Sequence, residues 1–436
     1  MTRRIPRDLL TQIEGVGVFK LMFSDVLGRA GEMDITAGEI NTVLQWGQGF
    51  DGSSIRGFAR IEESDLMAHP DFRTFRVLPP SITNGIRTGV FFCDIKTPTG
   101  RPYPGDSRHC LRRALERIAG LGYTFYTGPE CEFFIFLGGE GTQVIDHRGY
   151  FEAPGHNLMS RMVTALQETG IAVECSHHEV APSQYEIDLR YQDALMMADQ
   201  VMLYRWLLKR IAEPDFHVTF MPKPIYGVNG SGMHVHQSLF AGERNLFFDR
   251  RYPLHLSRMA RQYIAGLLTH VREFTLVTNQ LVNSYKRIVP NYEAPCYVAW
   301  GQRNRSSLVR VPRYRVGKEK AVRIELRSPD PACNPYLAFA VMLGAGMKGI
   351  EERYRLVDPV EQDIFHMDTR RRTRLGIEML PASLLEAIQL AEGSPLLHEV
   401  LGDHILSALL ANKRKEWDAY RTWVTDYEVA NTLHMY

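Results

Sequence analysis

No stretch of this chain of 436 residues approaches 18 consecutive apolar residues, so no membrane-spanning helix is expected. Its six cysteines (Cys93, Cys110, Cys131, Cys175, Cys296 and Cys333) contain no CxxC pair, which argues against a thiolate zinc site and against a disulfide framework. They are expected to be reduced and mostly buried. Neither sign of charge dominates, with 51 basic residues against 50 acidic ones. Nothing therefore points to a broad nucleic-acid-binding surface, and the expected partner is a small molecule. The first residues carry arginines but neither an apolar h-region nor a small-residue cleavage site, from which a cytoplasmic location is expected. Repeats and low-complexity tracts are absent as well. What remains is an ordinary globular composition at a length that suits two domains.

Residues 16–35, GVGVFKLMFSDVLGRAGEMD, read as a strand and turn, and TAGEINTVLQ reads as a short helix with a Thr cap. FRVLPP and GVFFCDI add strands. KTPTGRPYPGDSR (96–108) is rich in Pro and Gly, and the boundary between domains 1–103 and 104–436 is placed in it. Beyond it, SRHCLRRALERIAGLG predicts an amphipathic helix, followed by alternating strand and helix patterns. GAGMKG (344–349) matches G-x-G-x-x-G in form. Asn334 and Pro335, however, sit where an N-cap and first helical residue belong, so 335–352 is read as one buried helix whose glycines allow close packing.

Four segments carry unusual chemistry. In GPECEFFIF (128–136), Glu130 and Glu132 share one face of an apolar strand pattern, and two anions side by side there need a cation. VECSHHEVAPSQYEIDLRY (173–191) reads as two strands around a Pro-Ser turn with Glu174, Glu179 and Glu186, either a solvated hairpin or part of a site. In KPIYGVNGSGMHVHQSL (223–239) a flexible NGSG turn precedes a strand with His234, His236 and Ser238 on one face, fit for a metal or phosphate contact or simply a packed histidine pair. In VRIELRSPDP (322–331), Arg323, Glu325 and Arg327 share a face, as a ligand site or as a structural ion-pair ladder. Arg287, Arg305 and Arg310 in NSYKRIVPNYEAP and RNRSSLVRV add guanidinium forks suited to carboxylates and phosphates, with Glu293 in a Pro-bounded loop. This oxygen-rich, partly imidazole inventory suits Mg²⁺ or Mn²⁺. Two like charges about 4 Å apart repel by roughly 4 kcal/mol at an effective dielectric near 20, so converging glutamates would not all stay ionised unaided. Cations plus arginines are equipment for phosphoryl transfer between ATP and a carboxylate.

These segments, with FDGSSIRGFARIEESD and RIELRSPDPACNPYLAFA, occur in the order and spacing of the type I glutamine synthetase family, which the chain resembles from about residue 15 to its end. The resemblance implies an α+β architecture: a small N-terminal β-grasp-like domain and a large α/β catalytic domain whose antiparallel sheet forms the active-site barrel. It implies twelve subunits in two stacked hexameric rings with active sites between neighbours. It also implies an ATP-dependent ligation of ammonia to the γ-carboxylate of glutamate through γ-glutamyl phosphate, giving glutamine, ADP and phosphate. One metal would be held by Glu132, Glu179 and Glu186, the other by Glu130, His234 and Glu325. Glutamate would meet Asn229, Gly230, Arg287, Arg305 and Arg327. ATP would meet Glu174, Tyr191, His236, Ser238, Arg310, Lys320 and Arg323. Ammonium would meet Asp51 and Ser54 of the adjoining subunit with Tyr150, Glu179 and Glu293; Asp51, Glu293, Arg310 and Arg327 would act in catalysis.

The sequence departs from the family pattern in two places. FEAPGHNLMSRM after Tyr150 is a few residues short, near the amine site, and Arg355–Pro381 contains no tyrosine, so adenylylation control is not expected. Arg60 resembles an arginine tied to feedback control in one subgroup. An enzyme using an organic amine (a polyamine, ethanolamine or methylamine) is the main rival reading; a catalytically silent relative is disfavoured because every metal-ligand position is kept.

Overall fold

The computed structural model describes residues 4–55, 64–138 and 141–435; Arg60 lies outside them. The N-terminal strands are β1 (Val18–Ser24), β2 (Ala30–Thr36), β3 (Gln48–Asp51), β4 (Asp65–Pro70), β5 (Arg76–Val77) and β6 (Thr88–Lys96). They form one sheet in the order β2-β1-β6-β4-β3, with β5 on β6. β1 and β6 run parallel and the other pairs antiparallel.

Period-two alternation decides what each face of this sheet covers. Phe19, Leu21 and Phe23 on β1 and Phe91, Cys93 and Ile95 on β6 join a small core under the sheet, where Phe75 and Phe91 meet at 4.9 Å. The intervening Met22, Val90 and Phe92 belong to the main core of the following unit. The central strands β1 and β6 are therefore covered on both sides, whereas the outer strands β2 and β3 are largely exposed. The short helix after β2 spans Ile40–Trp46, with Glu39 rather than a threonine at its N-cap and no side-chain cap. Thr36 is instead the last paired residue of β2, opposite Val18, so the expected Thr cap is corrected: strand pairing claims Thr36, and the helix starts after the Ala37-Gly38 turn.

The larger sheet contains β7 (Thr124–Leu137), β8 (Val173–His178), β9 (Gln184–Leu189), β10 (Gln192–Asp193), β11 (Phe216–Thr219), β12 (Met233–Ala241), β13 (Arg244–Asn245), β14 (Tyr297–Gly301), β15 (Ser307–Arg310) and β16 (Ile324–Leu326). Its order is β14-β15-β16-β12-β7-β9-β8, with β10 and β11 on β7 and β13 on β12. All of its pairs are antiparallel except β14 with β15. Helices Ala194–Ala212, Arg258–Thr278 and Pro335–Glu351 contribute to the same core as this sheet. Among the described residues no helix is long and apolar enough to cross a membrane. The cysteines are free thiols, all buried except Cys175.

Asn334 caps the last of these helices, accepting from Tyr336 N at 3.0 Å and Leu337 N at 3.4 Å, with Pro335 as its first residue. The glycines of GAGMKG are packing positions. A Cβ on Gly346 would lie 2.1 Å from the Tyr263 ring, and one on Gly349 2.2 Å from Gln262 O. Facing them, a Cβ on Gly266 would stand 2.1 Å from Ala345 O, a backbone atom that cannot step aside. Gly266→Ala is expected to cost about 1–3 kcal/mol by overpacking, seen as a lower thermal midpoint. Gly38→Ala, where a Cβ meets nothing within 4 Å, leaves the midpoint in place.

The two units are also joined by polar contacts. Arg108, 2% exposed, reaches Asp71 at 3.0 Å, Asp199 at 2.8 Å and also Asp94. Gln280 Nε2 donates to Leu27 O at 2.7 Å, and Asn334 Nδ2 to Asp25 O at 3.0 Å.

Candidate active site

Strand register gathers the acidic segments. On β7, Glu130 lies opposite His234 of β12, and Glu132 opposite Glu186 of β9. On the far side of β12, His236 lies opposite Glu325 of β16, which in turn faces Arg310 of β15. Because each strand presents every second residue to one face, four adjacent strands, β16, β12, β7 and β9, line one floor with carboxylates and imidazoles, and β15 adds a guanidinium at its edge.

Two compact groups result. Glu130, His234 and Glu325 bring ligand atoms within 4.8 Å of one another: His234 Nδ1 is 3.2 Å from Glu130 Oε2 and 3.6 Å from Glu325 Oε1. His236 Nε2 adds a 2.6 Å contact to Glu130 Oε1, and Arg323 Nε donates to His236 Nδ1 at 3.1 Å. Glu179 and Glu186 form the second group with His177, at 3.4 and 3.6 Å. Glu132, expected with Glu179 and Glu186, lies between the groups. Its Oε2 accepts from Gln184 Nε2 at 2.9 Å and Gly232 N at 3.0 Å, and its Oε1 is 3.9 Å from His234 Nε2.

The groups differ electrically. Burial alone would raise Glu130, but hydrogen bonds from His234 and His236 outweigh it and hold the carboxyl well below its usual range. Glu325, 1% exposed, is likewise held low against burial by His236, His234 and Arg327. Burial pushes Glu179 up to about 8, helped by the charge of Glu132, and raises Glu186 and Glu132 as well. A set of carboxylate oxygens with imidazole nitrogens, partly protonated for want of positive charge, fits Mg²⁺ or Mn²⁺. Glu130, His234 and Glu325 would hold one ion, and Glu179 and Glu186, with His177 or Glu132, another.

The sign of the pH dependence follows. A carboxyl whose folded pKa is raised binds more protons folded than unfolded, so metal-free stability falls as pH rises from about 4.5 toward 8. A cation displaces those protons, so the Mg²⁺-induced rise in thermal midpoint should grow between about pH 6 and 8, with apparent affinity gaining on the order of tenfold per pH unit for each proton released. A proton-counting titration calorimetry series in two buffers checks this; Mg²⁺ uptake without proton release would contradict it.

Guanidinium groups flank the floor. Arg310 Nη1 is 2.8 Å from Glu325 Oε2, and Arg327 Nε 3.2 Å from Glu325 Oε1. Arg327 also donates to Arg305 O, while the Arg305 residue itself is exposed. Arg287 is buried, and its Nη atoms donate to the carbonyls of Ser328 (2.8 Å), Pro329 (3.3 Å) and Arg327 (3.3 Å). Gly230 follows the half-buried Asn229. A Cβ there would stand 2.3 Å from Pro222 O, so only glycine fits the turn beside Arg287.

A cavity of about 200 Å³ opens next to Glu130. Its lining includes all of Glu174, Tyr191, His236, Ser238, Lys320 and Arg323, and Lys320 also pairs with Glu243. Tyr150 is half exposed, its ring edge-on to His177 at 5.5 Å. Burial and Glu179 push its hydroxyl up, with Glu186 and Glu293 acting the same way against Arg305. Glu293 is exposed in its loop. Asp51, at the end of edge strand β3, is exposed, and its carboxylate accepts from Ser53 N (2.9 Å) and Ser53 Oγ (2.7 Å), which lower its pKa. Ser54 ends the turn that follows. The hydrogen bonds and ion pairs found for Asp51 among the described residues do not include the carboxylate floor.

Sequence reasoning missed His177, Gln184 and Asp188. The doublet His177-His178 was visible, but alternation splits it. His178 turns inward to Asp146 at 2.8 Å, and His177 faces the glutamates. A register shift between Val173 and Cys175 leaves Glu174 unpaired, a bulge that re-aims its side chain toward the cavity.

Comparison with family models matches residues 15–98 to the glutamine synthetase beta-Grasp domain and 104–432 to the glutamine synthetase catalytic domain. The chain is 47% identical over 426 residues to the glutamine synthetase of Mycolicibacterium smegmatis, covering 95% of this chain and 96% of that one. It is 44% identical to that of Thermotoga maritima, covering 97% of each. Among solved structures, GmaS in complex with ADP superposes with a TM-score of 0.88 at 30% identity, covering 97% of this chain and 98% of that one.

Proposed function

Because the chain belongs to the glutamine synthetase family, we propose that it is a cytoplasmic ligase that joins ammonia to the γ-carboxylate of glutamate at the expense of ATP, through γ-glutamyl phosphate. Residues 1–103 and 104–436 are its two domains, and the working assembly is a dodecamer of two hexameric rings. The observation that carries the reading is the convergence of five glutamates, Glu130, Glu132, Glu179, Glu186 and Glu325, beside a cavity lined by every residue expected to meet nucleotide except Arg310. That the similar GmaS was solved as a complex with ADP supports a nucleotide as a ligand of this fold.

Mg²⁺ or Mn²⁺ bound on the glutamates would polarise phosphate and carboxylate oxygens and offset their charge. The side chains account for the rest. A carboxylate is a poor electrophile, so glutamate, oriented by Asn229, Gly230, Arg287 and Arg305, must first accept the γ-phosphoryl group. Arg310 and Arg327, both against Glu325, offset charge on the group in transfer. The γ-carboxylate oxygen forms the new P–O bond as ADP leaves. Ammonium then needs acceptors all round and must give up a proton before its nitrogen attacks the acyl carbon and expels phosphate. Asp51 and Ser54 of an adjoining subunit, with Tyr150 and Glu179, are suited to hold it, Asp51 to take the proton, and Glu293 to close the site against water.

A second reading, ligation of an organic amine, is favoured by one feature. Phe151, 65% exposed, stands 4.4 Å from the Tyr150 ring and 4.5 Å from the His177 ring, an apolar wall where an alkyl group could rest. Glutamate-dependent ADP release with ammonium, methylamine, ethanolamine and putrescine separates the two. Ammonium should lead in kcat/KM by about 10²-fold or more, as expected of a site built from polar acceptors. Preference for an alkylamine would replace ammonia as the donor, and no glutamate-dependent turnover with any of them would overturn the ligase reading.

A further inference from the structure

Beside the second carboxylate group lies a third constellation of different chemistry. Cys175 Sγ, an imidazole nitrogen of His177 and a carboxylate oxygen of Asp188 lie within 4.8 Å of one another. Register produces it: Cys175 faces Asp188 across β8 and β9, one step from the His177 and Glu186 pair. The thiol donates to Asp188 Oδ2 at 2.7 Å, and the Asp188 carboxylate is also hydrogen-bonded to the side chain of Glu186. Cys175 is the one exposed cysteine of the six, so solvent and ions reach the group from its sulfur side.

We propose that Cys175, His177 and Asp188 form a binding site for a thiophilic divalent cation of the Zn²⁺ class, distinct in its donors from the oxygen-rich floor but sharing His177 with the second carboxylate group. One sulfur, one nitrogen and one oxygen ligand with a fourth position open to water is a zinc-like donor set, whereas Mg²⁺ and Mn²⁺ prefer oxygen. On binding, the S–H bond breaks, a sulfur–metal bond forms and the proton leaves to solvent, while Asp188 exchanges its contact with the thiol for one with the ion. His177 also touches Glu179 and Glu186, and Asp188 lines the candidate nucleotide cavity. Occupation would therefore pull on both, making the site inhibitory; only this consequence rests on the ligase reading.

The test uses the full chain in saturating Mg²⁺, titrated with Co²⁺ as an optical probe and with Zn²⁺ against a chromophoric chelator. The expected result is about one equivalent per chain, a thiolate-to-cobalt charge-transfer absorption, and a loss of affinity of about tenfold or more in Cys175→Ser and in Asp188→Asn, the scale for losing a ligand or its support. Absence of the charge-transfer band in the parent chain, or equal Zn²⁺ affinity in the parent and Cys175→Ser, overturns the site. In turnover assays, Zn²⁺ should inhibit the parent at concentrations at least about tenfold below those needed for Cys175→Ser; equal inhibition overturns the inhibitory role. Binding is read without turnover, so a failure of the ligase reading leaves that arm standing.

Discussion

Glu325→Gln should lower glutamate-dependent ATP turnover by about 10²–10³-fold or more, the scale of removing one preorganised charge from a reacting centre, while the protein keeps its assembly state. Glu325 is enclosed and shared by both chemistries of the site. Its carboxylate faces His234 at 3.6 Å in the first group and holds Arg310 and Arg327 at 2.8 and 3.2 Å. An amide of the same shape still fits the space but carries no charge. It cannot neutralise a divalent ion, and it leaves two guanidinium groups without their shared anion. Metal affinity, read by Mn²⁺ titration, should fall together with turnover. Turnover within a few-fold of the parent would refute the role given to Glu325, and lost assembly would show the residue to be structural.

Arg108→Ala should destabilise the fold by about 3–5 kcal/mol, the cost of removing one partner from a buried ion pair. Three carboxylates converge on this guanidinium: Asp71 and Asp94 from the N-terminal sheet region, which Arg73 and Arg112 also reach, and Asp199 from helix Ala194–Ala212, which pairs with Arg108. Tyr336 O–H, donating to Asp199 at 2.7 Å, does not supply a charge in its place. Burial raises Asp71, but hydrogen bonds from Arg73 and the charge of Arg108 overcome it and hold it low; Asp94 is held low by Arg108 and Arg112 against its burial. A depressed carboxyl contributes stability above its unfolded pKa, near 3.9, and loses it as pH falls through the folded value. The deficit of Arg108→Ala should accordingly be largest near neutrality and shrink in acid. Denaturant unfolding at several pH values checks this, and a deficit that does not change with pH would point to lost packing instead.

Much of the floor was legible because strands have a period of two. Glu130 with Glu132, His234 with His236, and Arg323 with Glu325 and Arg327 all follow from alternation once the segments are read as strands. Asn334-Pro335 likewise marked a helix start, because capping chemistry is local. What stayed hidden depends on how strands meet. The bulge at Glu174 has no compositional mark, and the contact of His177 with Glu179 and Glu186 depends on register. The Arg108 network joins residues 14 to 91 positions apart, and no single segment advertises it. The cap assigned to TAGEINTVLQ failed because a threonine suits a strand end as well as a helix start.

Met22, Val90 and Phe92 sit in the main core while their neighbours in sequence, Phe19 and Phe91 among them, fill the small one. The N-terminal sheet thus serves as the shared wall of two rooms, and neither room closes if the wall is exchanged. Swapping residues 1–103 for the corresponding part of a relative would therefore require matching the outward side chains as well as the inward ones. Expressed alone, this segment would present a greasy back to solvent and be expected to clump.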